Sequence, residues 1–317
     1  MQMRNLGKTS LRVPSIMLGG NVFGWTVDES QSFRLLDAAL DSGLNFIDTA
    51  DLYSRWAPGH TGGESETIIG KWMKGKRERV ILATKVGMDM GDGKVGLAPA
   101  YIERAAEDSL RRLQTDHIDL YQSHQDDPAT PLEDTLRAYE KLIQAGKVRY
   151  IGASNYGGGR LREAMETARR AGLSGYVTLQ PHYNLMEREP YESDLAPVAA
   201  EYDLGVLPYF SLASGFLTGK YRTAQDAEGK PRGGSVGKYL NERGLAVLAA
   251  LDEVAAKTHS NPARVALAWL ISRPNVTAAI ASVTRTEHVA DLAGAAELAL
   301  DGDSIEALER VSAPVAV

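Results

Sequence analysis

The chain has 317 residues, of which 44% are hydrophobic and 24% charged, a composition typical of a soluble globular protein. Its net charge of −6 gives no basic surplus for binding nucleic acid, and the absence of cysteine excludes disulfides, thiolate zinc sites and cysteine nucleophiles. No apolar run is long enough for a signal peptide or a membrane span, so we expect a cytoplasmic protein without membrane partners.

The first segment, residues 2–13, predicts a β-hairpin that turns around Gly7 and lies outside the main repeat as a lid or plug. A short apolar strand at 16–18 follows. Asp28 or Ser30 is placed to cap the helix that comes next, because both side chains can accept a hydrogen bond from a backbone N–H of the first helical turn.

From this strand onward, short apolar segments alternate with amphipathic helical segments, which requires crossover connections and a parallel sheet. The predicted strands lie at 16–18, 45–48, 80–84, 118–123, 148–153, 176–179, 205–209 and 277–280. The predicted helices lie at about 30–42, 64–74, 98–113, 131–145, 158–171, 191–202, 261–272 and 286–296. An insertion at 210–242, a helix at 243–258 and a last helix at 303–312 are added to the repeat. The even rhythm predicts an α/β fold, a (β/α)8 TIM barrel formed as a single domain by residues 1–317.

Polar residues stand at the ends of three neighbouring predicted strands. Asp48 closes the second strand, Tyr53 follows it closely, Lys85 ends the third and His124 ends the fourth. Parallel strands present their carboxyl ends at one rim, so we expect these side chains to meet there.

These four residues suit proton transfer to a carbonyl oxygen, and no metal is needed. The ammonium of Lys85 is expected to lower the pKa of the Tyr53 phenol, and Asp48 to hold that ammonium in place. Neutral His124 is expected to orient the carbonyl by a hydrogen bond. Taken singly, each residue could be structural, since buried Asp–Lys pairs and core histidines are common; the joint arrangement favours a catalytic site.

Four motifs carry a resemblance to a known family: GLNFIDTADLY, ATKVG, DLYQSH and IGASN, in this order on the repeat. Together they resemble the aldo-keto reductases over nearly the whole chain. The resemblance implies an NADPH-dependent oxidoreductase that reduces an aldehyde or ketone, with Tyr53 as general acid assisted by Lys85 and Asp48.

The resemblance also implies an NADPH site, although no strand is followed by a G-x-G-x-x-G motif. It assigns the nicotinamide carboxamide to Ser154, Asn155 and Gln180 and the stacking ring to Tyr209. It assigns further cofactor contacts to Ser211, Leu212, Ser214, Gly215, Lys220, His288 and Asp291. Ser282, Thr284 and Arg285 precede a predicted helix start, which favours a site for the 2′-phosphate. Ser211 and Leu292 depart from the family, in which Pro and an adenine-contacting Asn are common at these positions.

The expected partner is a small-molecule carbonyl substrate, in a mouth lined by Tyr53 and His124 with Phe23, Trp25, Arg55 and Trp56. A second interpretation is a nicotinamide-binding regulatory subunit, because the family resembles potassium-channel β subunits. A third, a metal-dependent barrel hydrolase, needs clustered ligands at strand ends, and only His124 and Asp48 qualify.

Overall fold

The structure, a computed structural model, describes residues 2–314. Eight parallel strands form one sheet in the order β10-β3-β4-β5-β6-β7-β8-β9. Their bounds are β3 Ile16–Gly19, β4 Phe46–Asp48, β5 Ile81–Val86, β6 Ile118–Ser123, β7 Val148–Ser154, β8 Thr178–Gln180, β9 Gly205–Val206 and β10 Ala279–Ala281. The sheet closes on itself where the N–H of Thr277 donates to the carbonyl of Val206 at 2.9 Å and that of Ile280 donates to Pro208 at 2.9 Å. The predicted (β/α)8 barrel is therefore confirmed.

The helices pack around this barrel. They are α1 Glu29–Asp41, α2 Glu64–Met73, α3 Pro99–Leu113, α4 Leu132–Gln144, α5 Gly158–Ala171, α6 Ala196–Glu201, α7 Ala224–Ala227, α8 Gly233–Val236, α9 Glu242–Lys257, α10 Pro262–Ile271, α11 Val289–Glu297 and α12 Gly302–Ser312. In α4, Leu136 and Tyr139 are buried while Glu133 and Arg137 pair on the solvent face, the one-sided pattern that buries a helix against a sheet. Asp28, and not Ser30, caps α1 by accepting from the N–H of Gln31.

The N-terminal hairpin is a plug at the amino end of the barrel. Its strands, β1 Met3–Asn5 and β2 Arg12–Pro14, are antiparallel, as the sequence predicts. Leu6, at 0% exposure, packs with the inward-facing side chains of the barrel strands. Gly7 has φ +53°, and a Cβ there would lie 2.4 Å from the carbonyl oxygen of Val177, so the turn approaches the strand starts too closely for any other residue.

The structure differs from the sequence predictions on the far side of the barrel. The strand predicted at 205–209 ends at Val206, because Pro208 has no N–H to donate to the ladder. Tyr209 instead forms an isolated parallel bridge with His182. The helix predicted at 191–202 begins with a π-helical turn, Tyr191–Leu195, before α6. The insertion 210–242 contains α7, α8 and two 3₁₀ turns, which its glycine-rich sequence does not reveal by periodicity.

Candidate active site

Strand register brings the predicted residues to one rim. Asp48 ends β4 and Lys85 lies next to the end of β5, while His124 directly follows β6 and its N–H donates to Val86 at 2.8 Å. Tyr53 lies in the turn after β4. Asp48 is 1% exposed and Lys85 0%, so both side chains lie inside the carboxyl end of the barrel.

Lys85 is the centre of the hydrogen-bonded group. Its Nζ donates to Asp48 Oδ2 at 2.8 Å, to the Tyr53 hydroxyl at 2.8 Å and to the carbonyl of Thr49 at 2.8 Å. The Tyr53 hydroxyl in turn donates to Asp48 Oδ2 at 3.0 Å. All three ammonium protons therefore have acceptors, and the phenol oxygen is held between a cation and an anion.

Electrostatics correct one expectation. Burial, and next the charge of Asp48, raise the pKa of Tyr53 well above its usual value. The expected net lowering of this pKa is therefore wrong, because burial and the adjacent carboxylate that accepts the hydroxyl proton outweigh the ammonium of Lys85. Burial lowers the pKa of Lys85, while Asp48 opposes this shift. Tyr53 is thus held as a neutral phenol with a proton to give.

His124 has the properties expected of a neutral donor. Burial, followed by the nearby charge of Lys85, places its pKa well below the usual range. It is 7% exposed, its Nδ1 atom has no partner among the described residues, and its ring lies 6.0 Å from that of Tyr53. A neutral imidazole can donate a hydrogen bond from a ring N–H to a substrate oxygen, and it adds no second positive charge beside Lys85.

The residues assigned to the nicotinamide end surround this centre. Gln180 donates through Nε2 to Asp48 Oδ1 at 3.1 Å, and Ser154 Oγ donates to the Gln180 carbonyl at 2.9 Å. Asn155 donates to the carbonyl of His124 at 2.8 Å and accepts from the Tyr209 hydroxyl at 2.8 Å. The structure therefore brings together all four polar residues that the sequence assigns to this end.

His182 is a further residue at this rim, one that the sequence does not reveal. Its ring stacks on Tyr209 with a centroid distance of 5.3 Å and an interplanar angle of 14°. Phe210, which is 46% exposed and has φ +51°, contacts both rings edge-on. A residue two positions after a strand end carries little signal by itself, so only the fold reveals this stack.

The segment 211–220 makes a tight turn. Ser214 and Gly215 have φ of +58° and +96°, which turns the backbone sharply at the start of the 3₁₀ turn Ala213–Thr218. Leu212 and Ser214 are partly exposed, whereas the Ser211 side chain is 1% exposed and donates to the Pro208 carbonyl at 3.0 Å. The Ser211 hydroxyl is therefore engaged within the turn, and its assignment as a cofactor contact stays a prediction.

A group of cations gathers next to this turn. Burial lowers the pKa of Lys220, and the charges of Arg232, Lys230 and Arg285 lower it further. Arg232 is the second residue that the sequence did not reveal: it stands two residues after Lys230 in a Pro- and Gly-rich loop, and its Nη2 is buried with no partner among the described residues. Such a group of neighbouring cations with an unpaired buried guanidinium suits an anionic ligand.

The residues predicted to read the 2′-phosphate lie at the outer edge of this group. Arg285 has 71% of its side chain exposed and lies 3.8 Å from Glu287. Thr284 is exposed and Ser282 Oγ donates to Asn21 Oδ1 at 2.7 Å. The predicted helix start is a 3₁₀ turn, Thr286–His288, that leads into α11, and His288 is exposed at its end.

Asp291 and Leu292 lie further along α11. Asp291 accepts from Arg264 Nε at 2.9 Å and from Asn261 Nδ2 at 2.8 Å, which engages its carboxylate in tying α10 to α11. Leu292 is 2% exposed within the core. The residue that departs from the family at this position is thus a buried apolar side chain, and the cofactor contact assigned to Asp291 stays a prediction.

Aromatic residues line the mouth above Tyr53. Trp25 and Trp56 pack edge-on at 5.7 Å, and Trp56 lies 6.1 Å from Tyr53. The Arg232 guanidinium lies 5.9 Å from the Trp25 ring, so the insertion reaches this wall. Arg55 is exposed, as expected for the mouth. Phe23 is 1% exposed in the hydrophobic core, so the prediction that it lines the mouth is wrong.

Comparison with known proteins agrees with this architecture. Residues 15–313 match the aldo/keto reductase family. The uncharacterized oxidoreductase YrpG of Bacillus subtilis is 38% identical, covering 98% of this chain and 96% of its own length. Aldo-keto reductase YhdN of the same bacterium is 39% identical, covering 83% of this chain and 77% of its own. A probable voltage-gated potassium channel subunit beta of Oryza sativa is 33% identical, covering 92% and 90%.

The chain therefore belongs to the aldo/keto reductase family. Aldo/keto reductases carry out oxidoreduction of small carbonyl compounds and generally use nicotinamide cofactors. Within residues 2–314, no group of three or more His, Cys, Asp or Glu side chains could hold a metal ion. Over the same residues, no helix is both long and apolar enough to cross a membrane.

Proposed function

We propose that this protein is an NADPH-dependent carbonyl reductase that converts an aldehyde or ketone to an alcohol, with Tyr53 as general acid. The observation that supports this proposal is the position of Lys85. Its Nζ lies 2.8 Å from the Tyr53 hydroxyl and 2.8 Å from Asp48 Oδ2. A phenol held neutral and in contact with an ammonium can give up a proton while the phenolate that forms is stabilised at once.

The steps follow from this geometry. His124 holds the carbonyl oxygen beside Tyr53 by a hydrogen bond. When bound, the nicotinamide cofactor supplies the hydride that adds to the carbonyl carbon. Tyr53 turns its hydroxyl from Asp48 toward the developing alkoxide and donates its proton, while Lys85 keeps its 2.8 Å contact with the phenol oxygen. The carboxylate of Asp48, 2.8 Å from Lys85 Nζ, balances the charge of Lys85 in this buried site.

The residues present fit the cofactor. Arg232 has a buried guanidinium nitrogen without a partner within residues 2–314, and Lys220 lies within the electrostatic reach of three cations. These residues would hold the phosphate groups, with Arg285 contributing to a 2′-phosphate at the edge. At the other end, Ser154, Asn155 and Gln180 would hold the carboxamide. Tyr209 would offer its ring to the nicotinamide.

The test is NADPH consumption by the purified protein, followed by absorbance, against a panel of aldehydes, ketones, sugars and diketones. We expect turnover with at least one carbonyl class and its loss in Tyr53→Phe. The matched control is Tyr150→Phe, because Tyr150 packs in the barrel at the plug end. Equal turnover by the wild type and Tyr53→Phe would contradict the role of Tyr53.

A second candidate is a nicotinamide-binding regulatory subunit, favoured by the similarity to the Oryza sativa protein named as a probable channel subunit beta. Such a subunit would use the same barrel to bind a cofactor and to report its redox state to a partner. NADPH that binds tightly but is oxidised with none of the carbonyls in the panel would favour this candidate over the reductase.

A further inference from the structure

A carboxyl group that the proposed reaction does not use lies directly behind the reaction centre. Asp51 stands in the turn between Asp48 and Tyr53 and is 2% exposed. Its backbone N–H lies 3.3 Å from the carbonyl of Lys85, so the turn is tied to the strand that carries the ammonium. The backbone N–H of Leu52 donates to its carboxyl group, while Oδ1 has no partner within residues 2–314.

A second ion pair lies on the other side of Asp51. Glu66 is 0% exposed and accepts from Arg112 Nε at 2.6 Å and from Thr84 Oγ1 at 2.6 Å. The Arg112 side chain passes over Gly63, where a Cβ would lie 2.4 Å from its Cδ, so only glycine leaves it room. The titratable groups that face Asp51 from the surrounding elements are Lys85 of β5, Glu66 of α2, Tyr101 and Arg112 of α3, Tyr121 of β6 and Tyr139 of α4.

The charges around Asp51 favour its neutral, protonated form. Lys85 pairs with Asp48 and Arg112 pairs with Glu66, so the two cations are already matched by two carboxylates. An ionised Asp51 would be a third, unmatched carboxylate, with an oxygen that receives no hydrogen bond. In agreement, burial and then the charge of Glu66 raise the pKa of Asp51 to about 8, against the opposing charge of Arg112.

We propose that Asp51 is a positioning residue of the reductase: as a neutral acid it leaves the Asp48–Lys85–Tyr53 group in its working charge state, and its ionisation slows proton donation by Tyr53. This inference rests on the proposed function. The ordinary catalytic roles stay with the residues that contact the substrate, because Asp51 acts only through Lys85 and the turn that carries Tyr53.

The direction follows from Coulomb's law. A new negative charge beside Lys85 stabilises the ammonium and disfavours a phenolate on Tyr53, which makes the phenol a weaker acid. Carbonyl reduction therefore slows as the pH rises through about 8, the pKa of Asp51. The slowing is electrostatic and does not require Lys85 to lose its proton.

The kinetic test is the pH profile of kcat for carbonyl reduction under saturating NADPH. Between about pH 7 and about pH 9 we expect kcat to fall about tenfold in the wild type and less than about twofold in Asp51→Asn, whose amide cannot ionise. Asp119→Asn is the matched control, because Asp119 is also a buried strand acid, 5% exposed, but is paired with Arg77 at 2.8 Å near the amino end of β6. Its profile should keep the wild-type fall. A wild-type fall that persists in Asp51→Asn would overturn the proposal.

Glu66→Gln supplies an independent variant. Removing the Glu66 charge frees Arg112 to pair with Asp51, which should lower the pKa of Asp51. The fall in kcat should therefore occur at lower pH in Glu66→Gln, whereas it should disappear in Asp51→Asn. An unmoved midpoint would count against the proposal even where Asp51→Asn does not fold.

Infrared difference spectra of the wild type, taken across the same pH range, separate this inference from the proposed function. We expect a neutral carboxylic acid band that titrates near pH 8 and is absent in Asp51→Asn. A protein without carbonyl turnover would refute the reductase, whereas a wild type without this band would refute a neutral Asp51. A band that titrates while kcat does not follow it would show that Asp51 holds a proton without positioning Tyr53.

Discussion

The two ends of the candidate site are built differently. At the reaction centre, Lys85 is 0% exposed and its three protons are donated to acceptors at 2.8 Å. At the proposed phosphate end, Arg285 has 71% of its side chain exposed and lies 3.8 Å from Glu287. The first end is fixed before any ligand arrives, whereas the second offers charge that a ligand can organise on binding.

This difference matches what the proposed reaction requires of each end. Proton transfer requires donors and acceptors at fixed distances in a site that water does not reorganise. Recognition of a phosphate requires positive charge and hydrogen-bond donors, which flexible side chains supply from solvent. Substitutions at the buried end should therefore be costly in rate and stability, and those at the exposed end should change affinity alone.

The largest effect is expected for Tyr53→Phe. Loss of the phenolic proton should lower kcat by about 10²–10⁴, the usual contribution of a positioned general acid. The dissociation constant for NADPH should change little, because the change removes an oxygen from the reaction centre alone. Steady-state kinetics and fluorescence titration measure the two quantities. A large loss of NADPH affinity with kcat preserved would mean that Tyr53 binds the cofactor and does not donate the proton.

The next effect is on stability. Asp48→Asn leaves the buried Lys85 ammonium without its counter-ion and should lower the free energy of unfolding by about 3–5 kcal/mol. Adding Lys85→Met should cost less than the sum of the single changes, because it removes the uncompensated charge. Denaturant unfolding measures both.

The matched control for this pair is Glu29→Gln. Glu29 and Lys71 are separated by 2.6 Å but are about half exposed, with side-chain exposures of 48% and 47%. Its loss should cost no more than about 1 kcal/mol. Equal costs for the two changes would mean that burial does not distinguish the reaction centre from the surface.

The contrast between the two ends also explains which features the sequence predicts. Short apolar strands between amphipathic helices predict the barrel, and strand ends place Asp48, Lys85 and His124 at one rim, because both depend on local pattern. The environment of Asp51 could not be predicted in this way. It depends on Glu66 of α2 and Arg112 of α3, which approach this turn only in the folded chain.

The errors have the same origin. Phe23 was placed at the mouth of the site by its position in the chain, whereas the geometry of its loop turns the side chain into the core. Arg232 was missed because a cation in a glycine-rich insertion has no periodic context. Its proximity to Lys220 is created only when the insertion folds over the barrel rim.

Arg232→Ala tests the partly buried side of the phosphate end. Its unpaired guanidinium nitrogen should donate to the phosphates shared by NADPH and NADH, so both dissociation constants should rise by about tenfold, the equivalent of about 1.4 kcal/mol. Arg222→Ala is the control in the same insertion, because Arg222 already pairs with Asp252 at 2.8 Å. Fluorescence titration with both cofactors measures the change. No loss for either cofactor would exclude Arg232 from the phosphate site.

The smallest effect is expected for Arg285→Ala, and its selectivity matters more than its size. An exposed guanidinium gives up part of its interaction energy to solvent and to Glu287, so NADPH affinity should fall by about threefold to tenfold. NADH, which has no 2′-phosphate, should bind almost unchanged, and the preference for NADPH should shrink as salt rises.

Glu287→Gln should change NADPH affinity in the opposite direction to Arg285→Ala. Removing the carboxylate that lies 3.8 Å from Arg285 takes away both a competitor for the guanidinium and a repulsive charge near the phosphate. NADPH should therefore bind about twofold to threefold more tightly in Glu287→Gln, with NADH unaffected. In Arg285→Ala/Glu287→Gln the gain should be smaller, because only the repulsion is left to remove. Equal losses of NADPH and NADH in Arg285→Ala would instead mean that Arg285 supports the local fold and does not read the phosphate.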